Sequence, residues 1–118
     1  MARLAQEEDV PQINAEYFNA LTAGDIERTM AVFGENAYME SGLSHLSTRA
    51  EIRTVYEHFC NERVRLYADS VTDDGTRLVL EWHSPEEPVR GGLAVYERDA
   101  SNKIGAIRLY DNFDPDAL

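Results

Sequence analysis

The feature that most constrains this chain is a change of period near Cys60. Before it, large apolar side chains recur every three to four residues; after it, they alternate with polar ones every two. The first spacing lays one apolar stripe along a helix, and the second gives a strand one apolar face. Helices first and strands last is the order of an α+β domain, in which a sheet wraps over helices gathered on one side. A length of 118 residues suits one such domain over residues 1–118, with little room for a second core.

Val10, Ile13, Tyr17, Phe18 and Leu21 predict a helix over Glu8–Leu21. In Ala23-Gly24-Asp25, Gly24 can take the left-handed conformation that ends a helix, and Asp25 can cap the next one. Ile26, Met30 and Phe33 continue the helical spacing to Gly34, followed by a short strand at Ala37–Ser41 and a loop at Gly42–Ser47. Thr48 with Glu51 three residues on has the form of a capping box, so a third helix, with Ile52, Val55, Tyr56 and Phe59 buried, should end near Cys60. Four strands then follow at Val64–Val71, Arg77–Ser84, Gly91–Arg98 and Ile104–Tyr110. Hairpin turns are expected at Asp73-Asp74-Gly75 and Ser101-Asn102, with a wider turn at Pro85–Pro88.

Charge narrows the partners. The net charge is −11, and the basic residues, all Arg except Lys103, are scattered from Arg3 to Arg108, which argues against nucleic acid. No apolar stretch approaches the roughly 18–20 residues that span a bilayer, so no membrane partner is expected. The lone Cys60 cannot form an internal disulfide and no secretory signal is visible, which points to a soluble protein in the reducing cytoplasm.

Tyr17-Phe18-Asn19-Ala20-Leu21-Thr22-Ala23-Gly24-Asp25 followed by Met30-Ala31-Val32-Phe33 resembles the opening of SnoaL-like and ketosteroid isomerase-like domains of the NTF2-like superfamily. The Thr48–Phe59 helix and the closing Lys103–Tyr110 strand fit the same pattern. The resemblance implies a cone-shaped NTF2-like (cystatin-like) fold, with three N-terminal helices packed on a curved, mainly antiparallel sheet. It implies a small-molecule pocket and either cofactor-independent isomerase, dehydratase or cyclase chemistry on an apolar substrate, or a noncatalytic ligand-binding or dimerisation module. Tyr17 falls at the oxyanion-stabilising tyrosine of the isomerases and Tyr56 at a supporting one, whereas their general base falls on Ser41 and their second oxyanion donor on Ala94. Glu40 lies one residue from the base position, where a strand slip or bulge would turn it inward. In the epoxide hydrolase members, an aspartate follows the arginine of the last strand; here Leu109 follows Arg108, and Asp111 comes two residues later.

Glu81 and His83 share one strand face, while Leu78, Leu80 and Trp82 share the other. The isomerase register turns Val79, Glu81 and His83 toward the cavity, where a carboxylate could fix an imidazole for acid or base work. Apolar patterning instead sets Leu78, Leu80 and Trp82 against the helices and Glu81 and His83 on the solvent or dimer face. The candidate catalytic residues are Tyr17, Glu40, Glu81 and His83, and the candidate pocket lining is Ser41, Tyr56, Trp82, Ala94, Tyr96, Leu109 and Asp111. Asp111, Asp114 and Asp116 also read as a solvated acidic tail. His45, His58 and His83 form no metal-binding spacing, and His58 with Glu62 reads as a surface helix pair. No metal is therefore expected, and because Gly91-Gly92 opens a strand, not a helix, no phosphate cradle or nucleotide site is expected either; no cofactor is assigned. Leu93 and Val95 would be exposed on the convex sheet face, and a homodimer through that face is expected.

Overall fold

The computed structural model describes residues 3–42, 44–85 and 91–112, the last two of these by their backbone. A short strand β1 (Arg3–Leu4) and a 3-10 turn (Ala5–Glu7) precede helix α1, which spans Gln12–Ala23 and not Glu8–Leu21 as its apolar stripe suggests. Pro11 sets the later start, because its ring disfavours the α conformation at Val10 and its own missing N–H is harmless just before a helix. Gly24 ends α1 in the left-handed region at φ 72°. Asp25 caps α2 (Ile26–Ala31), its carboxylate accepting from the Arg28 N–H at 3.1 Å.

Here the second helix ends sooner than its spacing predicts, and Phe33 opens strand β2 (Phe33–Ser41). The chain leaves the helix because the Ile104 N–H donates to Val32 O at 2.8 Å and Phe33 pairs with Ile104, a β-branched neighbour that favours extended backbone. The Arg49 guanidinium holds the corner by donating to the carbonyls of Met30 (3.1 Å) and Phe33 (2.7 Å). The expected loop after Ser41 contains a further strand, β3 (Ser44–Leu46), folded back on β2. Helix α3 (Arg49–Glu62) starts at Thr48, whose hydroxyl accepts from the Glu51 N–H at 3.2 Å, and runs two residues past Cys60.

The remaining strands are β4 (Tyr67–Asp73), β5 (Arg77–His83), β6 (Gly91–Arg98) and β7 (Ile104–Asn112). β4 starts three residues later than expected, since Leu66 O instead accepts from the Ala5 N–H at the sheet edge. Gly75 and Asn102 take positive φ in the two hairpin turns, as expected of their sequences, while the Pro85–Pro88 turn reaches outside the described residues. The seven strands form one sheet in the order β1-β4-β5-β6-β7-β2-β3, antiparallel throughout except for the parallel β2–β7 pair. Register shifts in β2–β7, β4–β5 and β6–β7 break the ladder, and such bulges bend strands and curve a sheet. This is a three-helix α+β fold with a curved mixed sheet. Among the described residues, no helix is long and apolar enough to cross a membrane.

The two sheet faces divide cleanly. Leu78, Leu80, Ala94, Tyr96 and Ile107 pack inward with Tyr17, Phe18 and Leu21 of α1 and Ile52 and Tyr56 of α3. Arg77, Glu81, Leu93, Val95 and Arg108 alternate with them and face outward. Residues two apart on β5 obey the apolar pattern, so burial and not the isomerase register fixes which face meets the helices.

Candidate functional site

Cross-strand pairing sets up three inward rows. Leu78, Tyr96, Ile107 and Met39 make one; Leu80, Ala94, Leu109 and Ser41 the next; Trp82, Gly92 and the Asp111 backbone the third. Ser41, Trp82, Ala94, Tyr96 and Leu109 are therefore brought to one face. Tyr17 and Tyr56 meet that face from the helices, with the Tyr17 ring 5.1 Å from Tyr96 and 5.7 Å from Tyr56, each in an edge-on arrangement. The side chain of Asp111 lies outside the described residues, as do Asp114 and Asp116.

Helix periodicity explains the tyrosine pair. Tyr17 sits one residue before Phe18 and four before Leu21, and Tyr56 four after Ile52, on the stripes that pack against the sheet. Their hydroxyls lie 2.5 Å apart in one hydrogen bond, and both rings are buried. Tyr96 is 0% exposed, and its hydroxyl lies beside that of Tyr17. Burial pushes the pKa of all three phenols well above the ordinary value, and the proximity of the other hydroxyls adds to it: Tyr56 for Tyr17, Tyr96 for Tyr56, and Tyr17 for Tyr96. The cluster is neutral at physiological pH. One of its protons is used within the Tyr17–Tyr56 bond, which leaves hydroxyl protons that can be directed at an acceptor oxygen. Such an arrangement can polarise a carbonyl or stabilise developing negative charge.

The proton-transfer candidates lie elsewhere. Glu81 and His83 do not face the interior, which corrects the cavity-facing register considered for them. Glu81 is exposed and accepts from the Ser70 hydroxyl at 2.7 Å. The His83 Nδ1 lies 2.8 Å from Asp69 Oδ1, with its ring stacked on Tyr67, so its carboxylate neighbour is Asp69 and not Glu81. Glu40 is also on the outer face, opposite Arg108 and 3.2 Å from His45 Nδ1, because β2 keeps its alternation through Met39 and no bulge turns it inward. Asp69 escapes the sequence pattern because the β4–β5 register shifts between Ala68 and Ser70, where a simple period of two misplaces it. His58 pairs with Glu62 at 3.3 Å on the α3 surface. Among the described residues, no group of three or more His, Cys, Asp or Glu is placed to hold a metal ion.

The model of the SnoaL-like domain matches residues 15–101, which hold Tyr17, Tyr56, Trp82 and Tyr96. The chain belongs to the SnoaL-like domain family. That places it in the NTF2-like superfamily, and solved structures agree on the fold. An NTF2-like protein from Cytophaga hutchinsonii superposes with a TM-score of 0.74 at 13% identity, covering 98% of this chain and 96% of that one. The epoxide hydrolase/cyclase-like enzyme SalBIII, of pyran ring formation in the polyether salinomycin, gives a TM-score of 0.74 at 20% identity, over 86% of this SnoaL-like chain and 89% of its own. A candidate polyketide cyclase from Sinorhizobium meliloti gives 0.74 at 14% identity, over 86% and 95%. No curated protein matches the chain.

Proposed function

We propose that this SnoaL-like domain binds an apolar small molecule between its helices and the concave sheet face, with Tyr17 in the polar contact. The observation that carries the reading is the cluster of three fully buried phenol hydroxyls, Tyr96 beside the Tyr17–Tyr56 pair. A chain of three hydroxyls leaves one buried proton without an acceptor, which costs about 1–3 kcal/mol, and a ligand oxygen received at this cluster would recover that cost. Two structural relatives, one an enzyme of pyran ring formation in the polyether salinomycin and the other described as a candidate polyketide cyclase, support a small-molecule ligand.

Polarising an acceptor is also the first half of a cofactor-independent isomerisation, dehydration or cyclisation, which is the catalytic form of this reading. The second half needs a base facing the ligand. Glu40, Glu81 and His83 are engaged on the opposite face, and this favours the noncatalytic, ligand-binding form. A cytoplasmic location fits the free, buried thiol of Cys60, and a homodimer through the outer sheet face fits its half-buried Leu93 and Val95 and its exposed Tyr110.

A calorimetric screen of uncharged apolar carbonyl compounds tests the site. Tyr17→Phe should weaken binding of a hit by about 0.5–1.5 kcal/mol for a neutral acceptor, and by more if negative charge develops there, with the fold intact and the melting midpoint lowered by loss of the Tyr17–Tyr56 hydrogen bond. Tight binding that is indifferent to Tyr17→Phe would remove Tyr17 from the site, and a screen without any hit would sink the reading.

A further inference from the structure

We infer that a groove on the outer sheet face is a second small-molecule site, one that takes a flat aromatic carboxylate. It lies across the sheet from the interior site and stands or falls independently of it. The groove has a volume of about 370 Å³, within the range of about 300–1,000 Å³ usual for small-molecule sites. Cross-strand pairing builds its parts. Val79 and Val95 are partners on β5 and β6 and make an apolar floor. At one end, Arg77 is the cross-strand partner of Glu97, and Arg108 reaches that same carboxylate from β7 at 2.8 Å, so two guanidiniums flank one carboxylate. At the other end stands the exposed Tyr110, opposite Leu93 and two residues beyond Arg108 on the same face. The row of Arg77 and the row of Tyr110 are four residues of strand apart, about 13 Å.

Charge decides the head group, because the neighbouring acids leave guanidinium capacity unspent. Asp74 accepts from the N–H groups of Thr76 (2.9 Å) and Arg77 (2.7 Å) and from the Thr76 hydroxyl, and these bonds hold its carboxyl well below the usual carboxylate range, with the Arg77 guanidinium a lesser cause. Arg77 meets it through Nε alone, at 3.3 Å. Glu40, opposite Arg108 on β2, lies 3.2 Å from His45. Two guanidiniums therefore share Glu97, and a planar carboxylate matches the fork of donors that remains. Floor and rim decide the body. Two valines present a shallow apolar surface, and the Tyr110 ring offers a face or an edge to another ring, so a flat aromatic system fits where an alkyl chain leaves that ring without a partner. The net charge of −11 opposes an anion at a distance, but at physiological ionic strength it is screened beyond about 8 Å. Contacts inside the groove decide binding.

Calorimetry on the full chain with 2-naphthoate, 2-naphthamide and benzoate tests this. The groove shares Val95 with the contact proposed between copies, so the acid binds in place of a second copy, and the titration is made on dilute protein. 2-Naphthoate should bind about 3- to 10-fold tighter than 2-naphthamide, which has its shape without its charge. It should bind roughly 5-fold tighter than benzoate, which lacks the second ring. Arg77→Gln and Arg108→Gln should each weaken 2-naphthoate by about 3-fold or more and leave 2-naphthamide unchanged, with thermal melts confirming that both variants fold. Tyr17→Phe should not affect 2-naphthoate. Equal affinity for acid and amide, or indifference of the acid to both arginine variants, would overturn the groove as a carboxylate site. Weakening by Tyr17→Phe would place the acid in the interior instead. Binding of neither naphthyl probe would overturn the groove and leave the interior reading to its own screen.

Discussion

Glycine at position 24 is the residue on which the helical layer turns. Its φ of 72° lies where a side chain is strained, and a Cβ there would come 2.8 Å from the carbonyl oxygen of Cys60. Left-handed backbone costs a non-glycine residue about 1–2 kcal/mol, and the contact with α3 adds to it. Gly24→Val is therefore expected to destabilise the chain by at least about 1–2 kcal/mol, read as a lower urea midpoint; an unchanged midpoint would refute the assignment. Gly24 was legible from the sequence because its signal is local, an apolar stripe ending at a glycine followed by an aspartate. The Tyr17–Tyr56 contact was legible only through the family resemblance, since 39 residues separate the partners. Asp69 beside His83 was not legible at all, because a bulge changes which residues face each other without leaving a mark on composition.

At the level of elements, Arg98 clasps the end of β6 to β4 and α1. Its guanidinium donates to both Asp73 carboxylate oxygens, at 2.8 and 2.9 Å, and to Asn14 Oδ1. The hydrogen bonds from Arg98 hold the Asp73 carboxyl below its usual range, against a smaller desolvation effect that raises it. A carboxyl depressed on folding contributes stability that is fully present above its unfolded pKa of about 3.9 and is lost as pH falls through the lower folded value. Asp73→Asn should flatten this part of the acid limb, so that the variant loses less stability than the parent between pH of about 5 and 2. Parallel stability curves for the two proteins over that interval would show that the clasp contributes nothing. The elements themselves were read well where one rule sufficed, as in α3 with its Thr48 cap and in β5 to β7 with their alternation. They were misread where two rules compete. Phe33 satisfies a helical spacing and also pairs with Ile104, and the sheet decides in favour of the strand. Three-residue β3 carries too short a pattern to announce itself, and the parallel β2–β7 pairing depends on tertiary packing that no local signal reports.

For the whole molecule, the outward sheet face is the surface we propose for contact between two copies. Leu93 and Val95 lie on it, Leu93 beside Tyr110 and Val95 beside Val79, with the Arg108–Glu97 pair at 2.8 Å and the Arg77–Asp74 pair at 3.3 Å toward one end. Val79 and Val95 floor a groove of about 370 Å³ that Arg77, Arg108 and Tyr110 border, and Tyr110 is 56% exposed. An apolar strip with a charged rim is the anatomy of an interface core and its edge, and a two-fold axis through it would set the strip against itself. A stable dimer needs about 1,000 Å² or more of buried surface, which a sheet face of several strands can supply and a single groove cannot. Light scattering at high micromolar concentration should therefore give twice the chain mass. Val95→Glu should shift the mass toward the monomer, weakening association by more than about tenfold, because the two-fold axis would carry two carboxylates into the apolar strip, where desolvation and mutual repulsion outweigh the one Arg108 opposite each. Val95 points away from the helices, so the variant should keep its circular dichroism spectrum. A monomeric mass for the unaltered protein would remove the dimer, and a dimer indifferent to Val95→Glu would move the contact to another surface.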